Sequence, residues 1–239
     1  MRRREEKKPS LGKRSVCPHC KYKLKWYDNL PIVSWLALRG KCRKCHRRIG
    51  YAEIISELLC AAALALLAAT INIQTASPLE WAAFLTNLAL VLSLCFLGIY
   101  DGLYGELPCY ALVVSAILAL ATIVLKQWYQ VSAYGFSTDI VLNPLFATAL
   151  LGGLYLILYL VSKGKWVGDG DWLLAGIVGL ALSSPWYALI SLFIANLSAC
   201  LIMFPVVLKS KNHKLYFGPF LVFAYIVTTV LASYGIISI

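Results

Sequence analysis

From about residue 50 onward the chain is dominated by unbroken apolar stretches. Seven of them, at 54–72, 81–100, 109–125, 144–162, 171–186, 187–208 and 218–238, approach the roughly 20 residues that a helix needs to cross a hydrocarbon core about 30 Å thick. Apolar and polar positions do not alternate within these runs, which disfavours a transmembrane β-barrel. The fifth segment is the shortest, and Pro185 is positioned to break it. Gly, Ala and Ser recur through the runs, as expected where helices pack closely in lipid. Trp81, Trp128, Trp172 and Trp186 fall near predicted ends, where aromatic side chains anchor at the interface. The pattern predicts an all-α polytopic membrane protein of about seven transmembrane helices.

Composition agrees with the pattern. Of 239 residues, 60% are hydrophobic and only 14% charged, more apolar surface than one soluble core of this size would bury. The charge is also uneven, since 16 of the 22 Lys and Arg residues lie in the first 50 positions. A boundary near Gly50 therefore divides a basic head, 1–50, from a membrane domain, 51–239. The first fifteen residues are basic but lead into no apolar run, so neither a signal peptide nor an amino-terminal span is expected there. With the head cytoplasmic, the inner loops are 101–108, 163–170 and 209–217. These carry Lys163, Lys165, Lys209, Lys211 and Lys214, against Lys126 alone outside. The bias matches the positive-inside rule only if the fifth segment crosses. Basic charge of this kind suits orientation and contact with anionic lipid rather than nucleic acid. No internal repeat or low-complexity tract is evident.

The head contains Cys17-Pro18-His19-Cys20 and Cys42-Arg43-Lys44-Cys45, two CxxC pairs separated by 21 residues. Each pair can present two thiolates to one tetrahedral ion, and the spacing is that of zinc ribbons and related knuckles. Two disulfides are the alternative, disfavoured in a reducing cytosol. His19 and His46 are bystanders if four thiolates close the site. A head of about 50 residues builds little core, so a structural Zn²⁺ would supply much of its folding free energy. The segment 26–36 between the pairs is aromatic and apolar, and is expected to pack on the knuckle and the membrane face. Cys60, Cys95, Cys109 and Cys200 lack paired spacing and read as small packing residues.

Acidic residues are scarce beyond the head, and two are placed informatively. Asp101 follows the second span in Tyr100-Asp101-Gly102. Asp171 opens the fifth, in Gly168-Asp169-Gly170-Asp171. Both fall at the cytoplasmic edge on different helices, a costly depth for an unpaired carboxylate. Two converging carboxylates can hydrolyse a peptide, one taking a proton from water while the other, protonated, polarises the carbonyl. Gly168 and Gly170 would let an extended substrate approach the backbone. The plainer reading makes both helix-end residues, with Asp171 favoured near a helix N-terminus; spacing alone leaves both open. Glu57, Glu106 and Asp169 are further acceptors for a basic substrate segment, with solvated loop charge as the plainer reading for the last two.

The GxGD sequence with an upstream aspartate on another helix resembles the intramembrane aspartyl proteases. The cysteine head with residues 28–42, Glu57-Leu58-Leu59, Asp101, the GDGD sequence and Phe217-Gly218-Pro219-Phe220 together resemble the bacterial type IV prepilin peptidases, over about residues 17–224. That resemblance implies an inner-membrane enzyme that removes the basic leader of prepilins or pseudopilins at the cytoplasmic face and then N-methylates the new terminus with S-adenosylmethionine. Asp101 and Asp171 would be its catalytic pair, and Cys17, Cys20, Cys42 and Cys45 its zinc ligands. The chain departs from the family in showing no transmembrane helix before the cysteines, in Trp172-Leu173-Leu174 where a Lys is frequent, and in the acidic Asp169. The competing reading is a cation- or proton-coupled transporter with a regulatory zinc head. It is disfavoured because no acid lies at the middle of a predicted span, where such sites sit.

Overall fold

The computed structural model describes residues 16–17, 19–30, 33–49, 51–69, 77–164, 167–209 and 216–235. Among these the regular structure is helical, with two isolated antiparallel bridges, Val16 with Lys23 and Lys41 with Arg48, and no strand. A 3₁₀ turn at Trp26–Asn29 precedes α1 (Val33–Ala37), α2 (Tyr51–Ala68), α3 (Pro78–Tyr104), α4 (Cys109–Tyr134), α5 (Asp139–Ser162), α6 (Asp171–Leu182), α7 (Pro185–Lys209) and α8 (Gly218–Ser233). Backbone contacts divide the chain into two compact units, Met1–Ala61 and Ala62–Ile239.

The seven apolar segments recur in order as α2–α8. Among the described residues four stretches, Pro78–Tyr104, Cys109–Ser132, Asp139–Ser162 and Pro185–Ile202, are long and apolar enough to cross a membrane, while Asp171–Leu182 and Gly218–Ser233 are shorter. The ends differ from the hydropathy pattern for identifiable reasons. Helix α4 runs nine residues past the apolar run, because Lys126, Gln127 and Gln130 end hydropathy without ending helix propensity. The fifth segment stops at Leu182, where Ser183 adopts a left-handed conformation (φ 60°) and its N–H reaches back to Gly179 O and Leu180 O. Pro185 does not break that helix. It opens the next one, at a position where its missing N–H costs nothing.

Helix α3 shows why Asp101 faces inward. Ser77 and Glu80 form a capping box, with Glu80 Oε2 accepting from Ser77 N–H at 2.7 Å, and Pro78 follows the cap. From that start, Asn87, Leu90, Val91, Leu94, Leu97 and Gly98 recur at helical spacing as the buried stripe, and Asp101 is its next member. The helix closes on Gly105 (φ 67°), whose N–H donates to Asp101 O at 2.7 Å. In α6 the stripe of Leu174, Ala175, Val178 and Leu182 likewise begins at Asp171.

Helices α5 and α6 pack backbone to backbone. A Cβ added to Gly152 would lie 2.9 Å from Gly176 Cα, and one added to Gly179 would lie 2.5 Å from Ala147 O. Without side chains at the crossing, dispersion contacts replace the hydrophobic drive that lipid does not provide. Gly179→Ala forces the helices apart and is expected to cost about 1–3 kcal/mol despite its gain in helix propensity. Gly153→Ala, on a face with nothing within 4 Å, should be neutral or slightly stabilising. Thermal unfolding of the two variants in one detergent checks the contrast.

Candidate active site and metal centre

In the amino-terminal unit the two CxxC pairs build matching knuckles, a local repeat that the sequence shows only in its paired cysteines. Cys17 N–H donates to Tyr22 O (2.9 Å) and Lys21 N–H to Cys17 O (3.0 Å). Twenty-five residues on, Cys42 N–H donates to Arg47 O (2.8 Å) and His46 N–H to Cys42 O (2.9 Å). Lys21 and His46 turn each knuckle with φ of 57° and 53°. The four sulfurs lie within 4.8 Å of one another, with Cys17 Sγ to Cys45 Sγ and Cys20 Sγ to Cys42 Sγ both 3.9 Å. Zn–S bonds of about 2.3 Å place tetrahedral thiolates about 3.8 Å apart, so these four cysteines fit one metal ion.

Backbone dipoles prepare the thiols. The N–H groups of Cys20 and then His19 lower Cys17 to about 6, and those of Cys45 and Lys44 lower Cys42. At Cys45 the Arg47 N–H pulls downward, but burial and the neighbouring sulfurs prevail and push it to about 11. His19 stands outside the cluster, with Nδ1 2.8 Å from Arg47 Nη1. The aromatic segment braces the second knuckle. Asp28 Oδ1 accepts from Arg43 Nε at 2.9 Å, the Arg43 guanidinium lies 5.1 Å from the centre of the Tyr27 ring, and the Trp35 ring fills the space beside Gly40. Trp26 instead points outward, 77% exposed.

In the second unit Asp101 and Asp171 are 5% and 6% exposed. Each is held by a glycine N–H: Gly218 donates to Asp101 Oδ2 at 3.0 Å, and Gly168 donates to Asp171 Oδ2 at 2.9 Å. Gly218 begins α8, so the Asp101 carboxylate faces a helix N-terminus, while Asp171 sits at the start of its own helix. A Cβ on Gly218 would come within 2.7 Å of Asp101 Oδ2, which explains glycine at this point of the Phe217-Gly218-Pro219-Phe220 sequence. The two carboxylates are within electrostatic reach of one another. Leu107, in the loop after Asp101, rests on the bare face of Gly170, where an added Cβ would lie 2.8 Å from Leu107 Cβ. Glycine at 170 thus lets the two aspartate loops touch, whereas Gly168 is exposed.

Asp169 and Glu106 are both exposed in those same loops, and Asp169 approaches the Tyr159 side chain. Glu57 is half-buried on α2, in the amino-terminal unit. Lys165, Lys211 and Lys214 lie outside the described residues. Tyr155 and Leu107 are neighbours of the aspartates that hydropathy and spacing do not reveal, because each is an ordinary apolar or aromatic position in its segment.

A helical membrane protein with two buried carboxylates at adjoining loops and a four-cysteine head defines a class, and comparison with known proteins names it. The model of the bacterial peptidase A24 N-terminal domain matches residues 2–71. The type 4 prepilin-like proteins leader peptide-processing enzyme of Escherichia coli is 32% identical over 226 residues, 92% of this chain and 76% of that protein. The prepilin leader peptidase/N-methyltransferase of Dichelobacter nodosus is 28% identical over 215 residues, 88% of this chain and 68% of the relative. That of Vibrio cholerae is 51% identical over 45 residues, 19% of this chain and 18% of its own length. No solved structure matches the chain. The chain belongs to the type IV prepilin peptidase family.

Proposed function

We propose that this protein is an aspartyl endopeptidase of the inner membrane that removes the basic leader of prepilins or pseudopilins at the cytoplasmic face. The observation that carries the reading is the pair Asp101 and Asp171, each buried in an end turn of its helix and fixed by a glycine N–H, in a member of this family. With one carboxylate ionised and the other protonated, the first accepts a proton from water as the water oxygen attacks the scissile carbonyl carbon. The second gives its proton to the carbonyl oxygen. As the tetrahedral intermediate collapses, the first carboxyl gives the proton it took from water to the leaving nitrogen while the C–N bond breaks, and the second carboxylate takes a proton back from the gem-diol oxygen as the carbonyl re-forms.

The new amino terminus is then N-methylated, the activity named for the Dichelobacter nodosus and Vibrio cholerae relatives, with S-adenosylmethionine as the methyl donor in this reading. Residues 1–50 form a cytoplasmic head in which Cys17, Cys20, Cys42 and Cys45 hold a structural Zn²⁺, and residues 51–239 form the peptidase domain. Zinc bound there would cross-link the two knuckles. Glu106 and Asp169, exposed in the loops next to the aspartates, accept the cationic leader in this reading, and Glu57 is a further acceptor. Purified protein incubated with a prepilin-like peptide should give a shortened product by mass spectrometry, heavier by one methylene only when S-adenosylmethionine is present. An intact peptide under both conditions overturns the reading.

A further inference from the structure

Helix α3 carries Asp101 and helix α6 carries Asp171, yet the two helices scarcely meet. Among the described residues α3 packs on α4 and α8, while α6 packs on α4, α5, α7 and α8. Helix packing therefore sets the separation of the two carboxylates only at second hand, through α4 and α8. Leu107 on Gly170 is a direct contact between the segment that follows the first aspartate and the one that precedes the second.

Backbone hydrogen bonds hold both sides of that contact. Gly105 closes α3 with its N–H on Asp101 O at 2.7 Å, and Pro108 O opens α4 by accepting from Ala111 N–H at 3.0 Å, so Leu107 is fixed between two helix ends. Opposite, Gly170 O accepts from Leu174 N–H at 3.0 Å and Asp171 N–H donates to Gly168 O at 3.2 Å, which ties Gly170 into the turn that carries Asp171.

The glycine itself points to a spacing role. Gly170 has φ −95° and ψ −18°, in the right-handed region that residues with a side chain adopt. Conformation does not call for glycine at 170; space does. A Cβ there would lie 2.8 Å from Leu107 Cβ and Cδ1 and 3.3 Å from Cγ. Leu107 Cδ1 can rotate away, but Leu107 Cβ moves only with the loop backbone, so a methyl group at 170 drives the two loops apart.

We propose that Leu107 is a positioning residue for the peptidase reaction, whose side chain, seated on the bare backbone of Gly170, sets the distance between the Asp101 and Asp171 carboxylates. The inference rests on the aspartyl peptidase reading above. One water and one carbonyl must be held by the two carboxyls at once, and a misplacement of about 1 Å in such an arrangement costs on the order of 10²-fold in rate. Leu107 acts through the aspartates and not on substrate, so the effect falls on kcat rather than KM.

With a prepilin-like peptide and the full chain, Gly170→Ala should lower kcat by about 10²-fold with KM within about twofold. Adding Leu107→Gly removes all three obstructing atoms and should restore kcat by at least about tenfold, although Leu107→Gly alone, which leaves the loops unbraced, lowers it. Leu107→Met keeps an apolar arm of similar volume and should stay within about threefold of wild type. Unfolding temperatures in one detergent accompany each assay. If Gly170→Ala does not fold, Leu107→Ala, which crowds nothing, carries the test, with kcat down by about tenfold at unchanged KM. Wild-type kcat in Leu107→Ala or Gly170→Ala, a rise in KM in place of the fall in kcat, or a deeper defect on adding Leu107→Gly overturns the role of Leu107, and the dyad stands if Asp101→Asn and Asp171→Asn are inactive. If the two aspartate variants cleave normally, the underlying reading fails first.

Discussion

Asp101→Asn and Asp171→Asn are each expected to eliminate leader cleavage while the protein still folds and inserts. Asparagine keeps the volume and an acceptor oxygen for the Gly218 or Gly168 N–H, so the 3.0 and 2.9 Å bonds that fix each side chain survive. What is lost is the proton: an amide neither accepts one from water nor delivers one to a carbonyl. General acid-base groups contribute about 10²–10⁴-fold each, and members of one catalytic unit are not additive. The double variant should therefore be no slower than either single one, at a loss of at least about 10³-fold. Mass-spectrometric cleavage assays checked against unfolding temperature test this, and full activity in either single variant would refute the assignment.

The second large effect concerns the head. Removing metal with a chelator, or replacing Cys17 or Cys42 by Ser, should unfold the knuckles, because few other contacts hold them together among the described residues. Around them are an Asp28–Arg43 pair, the stacking of Tyr27, and Trp35 against Gly40, with Trp26, Val33 and Leu36 exposed. Free energy of metal binding is then free energy of folding. Metal analysis of purified protein should give one zinc per chain, lost in the Ser variants, together with faster proteolysis confined to the head. Because ligation requires thiolates, zinc should also dissociate as pH falls. Cys17, lowered to about 6 before any metal binds, is ionised at neutral pH and becomes protonated below that value. A head that resists proteolysis equally with and without metal would show that packing alone suffices.

Much of this was legible in the sequence because it depends on local pattern. Apolar length located seven helices, and helical spacing from Asn87 to Gly98 already carries Asp101 onto the buried face. The CxxC spacing predicted a cluster that the sulfurs form. Helix ends were less legible: Ser183 and Pro185 close and open helices through backbone geometry, and hydropathy is blind to that. The partners of the aspartates were illegible for a different reason. Gly218 N–H is brought to Asp101, and Leu107 to Gly170, by tertiary packing, and nothing in their own neighbourhoods marks them out. Glycines 152, 176 and 179 likewise read as generic small residues until the crossing of α5 and α6 gives each a neighbour.

The bond from Gly218 to Asp101 joins positions 117 apart. During synthesis Asp101 therefore enters the membrane with α3 and goes without its fixed donor until α8 has been made and inserted. The Asp101 carboxylate thus gains its fixed donor only after four intervening helices, α4–α7, have been made.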